Sequence, residues 1–276
     1  MEKIIKKGSL SNINLRELIS YRHFILNQFW RNINVIYKQT AFGSVYRILI
    51  PIIQSGLFAV IFSGIAKLPT DGIPTFLFYF SSMIHWTLFQ SCVVKNSDSF
   101  ASYGHFIRNT YVPKLCFSIS IFLENLFIYL INFLVLIIVF LIFYFNGVNI
   151  NFNFKILIFY PIVLIYLSIF GTSIGLISAY LSVKFRDLRF VVSNLMQIFF
   201  FATPIVYSFN VIPEKYHLFF YLNPIVYPID YFKNLFFSVS SVNITYLISS
   251  IIIFFILLFL VYILNKKISG TIADNV

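Results

Sequence analysis

Six apolar runs, each long enough to cross a bilayer, constrain this chain more than any other feature of it. A hydrocarbon core about 30 Å thick takes about 20 helical residues. The runs lie at 45–66, 75–94, 115–145, 156–183, 190–210 and 244–264. The residues between them leave little to build a water-facing shell. The chain is 59% hydrophobic and 11% charged, against about 45–50% and about 25% in a soluble domain. Thirty-six Phe and a mean hydropathy of +0.88 exclude a soluble enzyme, a disordered chain and a secreted disulfide scaffold. The expected fold class is an all-α membrane protein with six transmembrane helices.

Before the last span, residues 214–241 are interrupted by Pro224 and Pro228 and by Lys215, Asp230 and Lys233. Each apolar piece is too short to cross, so this stretch is expected to be a re-entrant helix pair. Charge sets the orientation. With six spans and an inner N-terminus, the inner segments 1–47, 95–114, 184–189 and 265–276 hold sixteen of the twenty Lys and Arg. The outer segments hold Lys67, Lys155, Lys215 and Lys233, so the positive-inside rule places both termini in the cytosol. The expected organisation is a cytosolic segment at 1–44, a transmembrane domain at 45–264 and a cytosolic tail at 265–276. The N-terminus lacks the short apolar core and small-residue cleavage site of a signal peptide. The run 115–145 would extend about 46 Å at 1.5 Å per residue, so it must tilt or project.

From Leu15 to Tyr37, apolar residues Leu15, Leu18, Ile19, Leu26, Phe29, Ile33 and Ile36 recur at helical spacing. Arg16, His23, Asn27, Arg31, Asn34 and Lys38 lie opposite them, and Asn14 with Glu17 has the form of a capping box. This predicts an amphipathic interface helix. It serves as a topology anchor, or as a contact surface for a cytosolic partner or an anionic lipid head. Arg31, Lys38 and Arg47 stand where such a helix meets the bilayer. There they attract anionic lipid heads.

Glu124 is the only acid deep in a span, roughly 15 Å into its helix, and is a functional candidate on that ground. No Lys or Arg is expected at its depth. Protonation, or hydrogen bonds to Asn125, Tyr129, His85 or Asn132, would relieve it, and polar glue between helices is the plainer role. His85 is the second intramembrane polar candidate. Ser193, Asn194 and Gln197 form a polar stripe ahead of Phe201 and Pro204, and Trp86 and Phe89 flank another in span 75–94. Polar atoms in hydrocarbon seek protein partners or a water-filled path. Aromatic faces between them can stack on sugar C–H faces, and helix packing is the alternative.

No GxxxxGK[ST], HExxH or GxSxG motif is present, and the acids are not spaced to hold a divalent ion. Cys92 and Cys116 lack metal-ligand spacing and read as small core residues. No catalytic residue, metal or cofactor is expected in this chain, so any work is powered from elsewhere or is passive.

Residues 175–237, GLISAYLSVKFRDLRFVVSNLMQIFFFATPIVYSFNVIPEKYHLFFYLNPIVYPIDYFKNLFF, carry a resemblance. A helix ends before Phe185, Arg186 and Asp187. A span then ends at Thr203, Pro204 and Tyr207, and Pro213, Asn223 and Pro224 follow. LIPIIQ at 49–54, LPTDGIPTFLFYFSSMIHW at 68–86 and NTYVPKLCFS at 109–118 keep the same order. Together they resemble the type-2 ABC exporter permeases of bacterial polysaccharide transport, over roughly 40–265. The FRD loop is similar to that of the O-antigen and teichoic acid exporters more than to the capsule exporters. His85 departs from the family, which commonly has Pro before the Trp.

The resemblance implies a half-transporter in the bacterial inner membrane. Two copies would form the pore, and two separate ABC ATP-binding subunits, carrying ATP and Mg, would dock below. Loops 95–114 and 184–189 and the N-terminal helix would meet them, through Arg186, Asp187, Arg108 and Arg16. The cargo would be a lipid-linked polysaccharide, with membrane lipid around the chain and no nucleic acid partner. With that cargo, Arg31, Lys38 and Arg47 would receive its lipid pyrophosphate, and Trp86, Phe89, Gln197 and Phe201 would line the glycan path. The alternatives are a permease for another hydrophobic, drug, peptide or capsular cargo, a membrane-embedded glycosyltransferase or lipid-modifying enzyme, and a structural subunit with no cargo path.

Overall fold

The computed structural model describes residues 15–39, 45–110, 112–148, 156–237 and 244–268. Among these residues the regular structure is helical throughout, and no strand occurs. The helices are α1 (Leu15–Ser20), α2 (Arg22–Gln39), α3 (Val45–Phe58), α4 (Thr75–Ser97), α5 (Ser99–Ser102) and α6 (Gly104–Asn109). They continue with α7 (Leu115–Phe145), α8 (Ile156–Ser182), α9 (Leu188–Phe201), α10 (His217–Tyr221), α11 (Val226–Phe237) and α12 (Ile244–Ile268). A π-helical stretch, Ala59–Ile65, prolongs α3.

Each of the six apolar runs therefore carries a helix. Among the described residues, four stretches are long and apolar enough to cross a membrane: Tyr46–Ile65, Leu115–Phe145, Tyr160–Ser182 and Ile248–Lys266. The other two helices depart from that description for different reasons. At 14 residues, α9 rises only about 21 Å. The 23-residue α4 is long enough but carries Ser81, Ser82, His85, Thr87, Gln90, Ser91 and Lys95.

Position explains how α4 tolerates those polar groups. It is the central helix, packed against α3, α7, α8, α9 and α11, and most of its residues are buried. A helix surrounded by others faces protein more than lipid, and polar atoms can find partners there. Ser82 Oγ donates to Phe78 O at 3.0 Å and Thr87 Oγ1 to Met83 O at 2.7 Å, both one turn back. The α4–α8 crossing brings backbone against backbone. A Cβ on Gly171 would stand 2.9 Å from Phe89 O, and one on Gly175 would stand 2.5 Å from Val93 O. Only glycine lets the two backbones approach this far, the physics of a GxxxG seam.

The N-terminal amphipathic segment is two helices, interrupted at Tyr21, rather than one continuous helix. Asn14 and the side chains of Ile36 to Lys38 lie outside the described residues. The buried face is Ile25, Gln28, Phe29 and Ile33, and it packs along α7: Phe29 meets Phe127 edge-on at 5.9 Å, and Ser120 Oγ donates to Ile25 O at 3.2 Å. Ile19, Leu26 and Trp30, by contrast, are exposed.

The proline-broken stretch at 214–241 forms two short helices, α10 and α11, up to residue 237; the rest lies outside the described residues. Asn223 closes the turn between them. Its Nδ2 donates to Thr203 Oγ1 at 3.0 Å, and its Oδ1 accepts from the Ile225 amide at 3.1 Å. The loop 66–74 is fastened to the same region: the Asp71 carboxylate accepts the Ser208 hydroxyl, and Asn210 Nδ2 at 3.2 Å. Asp71 has φ 51°, a left-handed conformation that Asp tolerates better than most residues.

Candidate functional site

Three groups of residues hold the chemistry. The first surrounds Glu124, whose side chain is 5% exposed. Its Oε1 takes Lys95 Nζ at 2.6 Å and Arg47 Nη1 at 2.9 Å, and its Oε2 accepts from Asn32 Nδ2 at 3.2 Å. The expectation that no cation reaches this depth is corrected. Arg47 enters from the first turn of α3 and Lys95 from the last turn of α4, and long side chains carry charge well beyond their backbone positions. His85, Tyr129 and Asn132 do not reach the carboxylate; Asn125 enters only through Lys95, whose Nζ donates to Asn125 Oδ1 at 3.0 Å.

Asn32 Oδ1 in turn accepts from Gln28 Nε2 at 2.9 Å and from the Tyr103 hydroxyl at 3.2 Å. One polar network thus joins α2, α3, α4 and α7 to the α5–α6 connection. Arg31 lies outside it: its guanidinium covers the rings of Phe106 at 5.0 Å and Tyr103 at 5.7 Å. Of the three residues expected at a pyrophosphate entrance, Arg47 is engaged by Glu124, Arg31 rests on aromatic rings, and the Lys38 side chain is outside the described residues.

The second group is a buried node. His85, fully enclosed, directs Nδ1 at Ser81 O at 2.6 Å and Nε2 at the hydroxyls of Tyr160 at 3.0 Å and Tyr129 at 3.2 Å. Its ring packs on Phe232 of α11 at 4.4 Å. This node ties α4, α7, α8 and α11 with every polar atom of the imidazole partnered.

The third group lies at the end of the bundle where α4 and α8 finish and α7 and α9 begin. Arg186 and Asp187 are exposed in the turn between α8 and α9, and Arg108 is exposed on α6. Arg186 and Asp187 do not pair with each other, and neither forms an ion pair with another described residue. The link between the two loops is instead Arg189 to Asp98, Nη1 to Oδ1 at 3.5 Å. Neither residue stands out in the sequence, because they are 91 positions apart. Arg16, on α1, is also exposed.

The candidate glycan-path residues fall into two sets. Trp86 and Phe89 are buried in the core; Trp86 packs on Phe200 at 5.4 Å and Phe199 at 6.4 Å, behind α9. Gln197 and Phe201 are on the outer face of α9, with Asn194, Ile198 and Leu195. In a single copy, then, Trp86 supports the α9 face from behind, Phe89 stacks on Phe170 of α8 at 6.0 Å, and the polar stripe is open.

Two features were missed by sequence reasoning. The glycine pair at 171 and 175 has the small-xxx-small spacing that would have located the α4–α8 seam. Lys95 belongs by sequence to the cytosolic segment 95–114, yet it sits in the last turn of α4, where a side chain can turn inward.

Residues 25–237 match the family described as ABC-2 type transporter. An O-antigen export system permease protein RfbA of Myxococcus xanthus is 23% identical over 202 residues, covering 73% of this chain and 74% of its own length. A protein of the same description from Klebsiella pneumoniae is 28% identical over 189 residues, covering 67% of this chain and 69% of its own length. A second one from Klebsiella pneumoniae is 25% identical over 188 residues.

Proposed function

The chain belongs to the ABC-2 type transporter family, and from that premise we propose that it is the transmembrane permease subunit of a polysaccharide exporter whose cargo is a lipid-linked glycan of O-antigen type. The observation that carries this reading is the similarity to O-antigen export permeases, which extends over two thirds or more of each chain. The helices are compatible with it: an apolar bundle with one open, polar-striped face and no phosphate-cradling motif of its own.

In this reading ATP is hydrolysed by a separate ABC subunit, with two copies of each chain in the assembly. The six helices α3, α4, α7, α8, α9 and α12 cross the inner membrane, both termini are cytosolic, and α10–α11 dip in from outside. The α1–α2 segment lies at the cytosolic interface, its exposed Leu26 and Trp30 toward lipid and its buried face on α7. Arg186, Asp187, Arg108 and Arg16 face the ATP-binding subunit. The ion pair between Asp98 and Arg189 holds the two contact loops in register, so that movement of one is passed to the other. The glycan passes along the exposed α9 face at Gln197 and Phe201, which Trp86 supports from behind and Phe89 in turn backs.

The test is ATP turnover by the purified permease with its ABC subunit, with and without lipid-linked glycan. Stimulation by the glycan is expected, and Asp187→Ala is expected to assemble but lose it. Absence of stimulation in the wild-type complex would remove the cargo assignment, and an Asp187→Ala complex with full stimulation would remove the contact. Modification of a cysteine placed at position 272 by an impermeant reagent outside intact cells would overturn the orientation.

A further inference from the structure

A cavity of about 220 Å³ opens beside the Glu124 cluster, between α3, α4 and α7. Its charged end holds Arg47 and Lys95; Thr87 and Ser91 stand along its α4 wall, and Asn132 on its α7 wall. Three observations bear on what it holds. Two cations share one carboxylate, so the charged end keeps a net positive charge, in a setting where unbalanced charge is costly. Both cations are 29% exposed, so neither is wholly covered by the contact with Glu124. At the other end, Asn132 is buried, and its Oδ1 has no donor among the described residues, while its Nδ2 is spent on Ile128 O at 3.1 Å. A buried acceptor without a donor is destabilising, and a ligand hydroxyl would relieve it.

From these we infer that the cavity is a binding site for a phosphate ester that carries a hydroxylated substituent, with the phosphate on Arg47 and Lys95 and a hydroxyl donating to Asn132. The dimensions agree. Glu124 and Asn132 are eight residues apart on α7, about 12 Å of rise, which matches a phosphate joined to one sugar or glycerol unit. The volume is below the range of drug-sized pockets and admits a headgroup rather than a chain. Arg and Lys are the side chains suited to phosphate, and Ser91 and Thr87 add hydroxyls between the ends.

Glu124 has a definite part in this site: it competes with the ligand for the two cations and keeps them compensated when the cavity is free. That makes a prediction whose sign separates a ligand site from a purely structural ion cluster. Removing the carboxylate's charge strengthens binding at a ligand site, whereas in a structural cluster it only weakens the fold.

The same chemistry is offered by two sources, the phosphate–sugar junction of a lipid-linked glycan and a bilayer lipid such as phosphatidylglycerol. Only the first source rests on the export reading. The experiment measures equilibrium binding to the purified detergent-solubilised permease of three probes: a short-chain isoprenyl phosphate sugar, dioctanoyl phosphatidylglycerol and inorganic phosphate. Arg47→Gln and Lys95→Gln are each expected to weaken both phosphate esters about tenfold. Glu124→Gln should tighten them, and Asn132→Leu should weaken both esters without changing inorganic phosphate. Tighter binding of the isoprenyl phosphate sugar assigns the site to cargo, and tighter binding of phosphatidylglycerol assigns it to membrane lipid. Because binding is read without the ABC subunit, loss of export with intact binding counts against the cargo reading and not against the site. Wild-type affinity in Arg47→Gln and Lys95→Gln would overturn the proposal, as would weaker or unchanged binding in a Glu124→Gln protein that still elutes as a folded species. If the cation variants do not fold, Glu124→Gln and the remote Asn132→Leu decide the matter by themselves.

Discussion

The α4–α8 seam and the outer face of α3 and α9 are built from similarly apolar sequence and have opposite fates. Along the seam, backbone meets backbone: Gly171 and Gly175 press on Phe89 and Val93, and the free Cys92 fills the remaining space. On the outer face, Val60 in the π-helical stretch after α3 is 63% exposed, Ile198 of α9 is 68% exposed, and Asn194 and Gln197 of α9 are exposed too. In lipid there is no hydrophobic drive to bring helices together, so closeness comes from small residues and shape. The seam has those residues and closes within one chain. The α3–α9 face has large side chains and a polar stripe instead, so it stays free for whatever the assembled transporter brings to it. The Glu124 cluster joins the two regions, since Arg47 of α3 and Lys95 of α4 meet on one carboxylate.

The contrast is broken most severely at Gly175. A side chain there would meet the carbonyl oxygen of Val93, which cannot move without its helix. Gly175→Leu is expected to abolish the folded monodisperse protein, as judged by detergent size exclusion; a stable variant would show that the seam is not the rigid element. Trp86→Ala follows, because it removes the large ring between the seam and α9. A loss of about 3–5 kcal/mol is expected in thermal or denaturant unfolding, with Trp86→Phe recovering most of it. Equal stability of the two variants would mean that the ring does not support the α9 face.

Loosening the joint between the regions should cost less. Lys95→Met leaves Glu124 to Arg47 and Asn32 and should lower stability by about 1–3 kcal/mol, while increasing protease or labelling access to α3. No increase in access would detach Arg47 and α3 from the cluster. The smallest effect belongs to the open face. Gln197→Ala should change stability by no more than about 0.5 kcal/mol yet reduce export in cells; a variant with wild-type export would make the polar stripe incidental. Asp98→Asn is expected to fall beside it in stability, within about 1 kcal/mol for an exposed pair, and to separate from it by lowering ATPase coupling.

Much of the bundle was legible in the sequence because a span is a local property. Length and apolarity mark Leu115–Phe145 and Ile244–Ile268 with no knowledge of neighbours. Pro224 and Pro228 likewise mark the stretch that becomes α10 and α11, since proline acts on its own backbone. The N-terminal helix was legible as amphipathic, but its buried side was not. Leu26 belongs to the apolar stripe by spacing and is exposed, while Gln28 is polar and buried, because α7 rather than lipid covers that side.

The sequence by itself determined an all-helical membrane chain, the order of its helices and the absence of a phosphate-cradling motif. It also singled out Glu124 as the acid that needs an explanation. Only the tertiary structure decided what answers that acid. Arg47, Lys95 and Asn32 are 77, 29 and 92 positions away from it, and no periodicity or spacing rule connects residues so far apart. The structure likewise turned Trp86 inward and Gln197 outward, although both sit in apolar runs with polar neighbours. Periodicity states which residues share a face of a helix, but the face that meets protein is chosen by the helices packed around it.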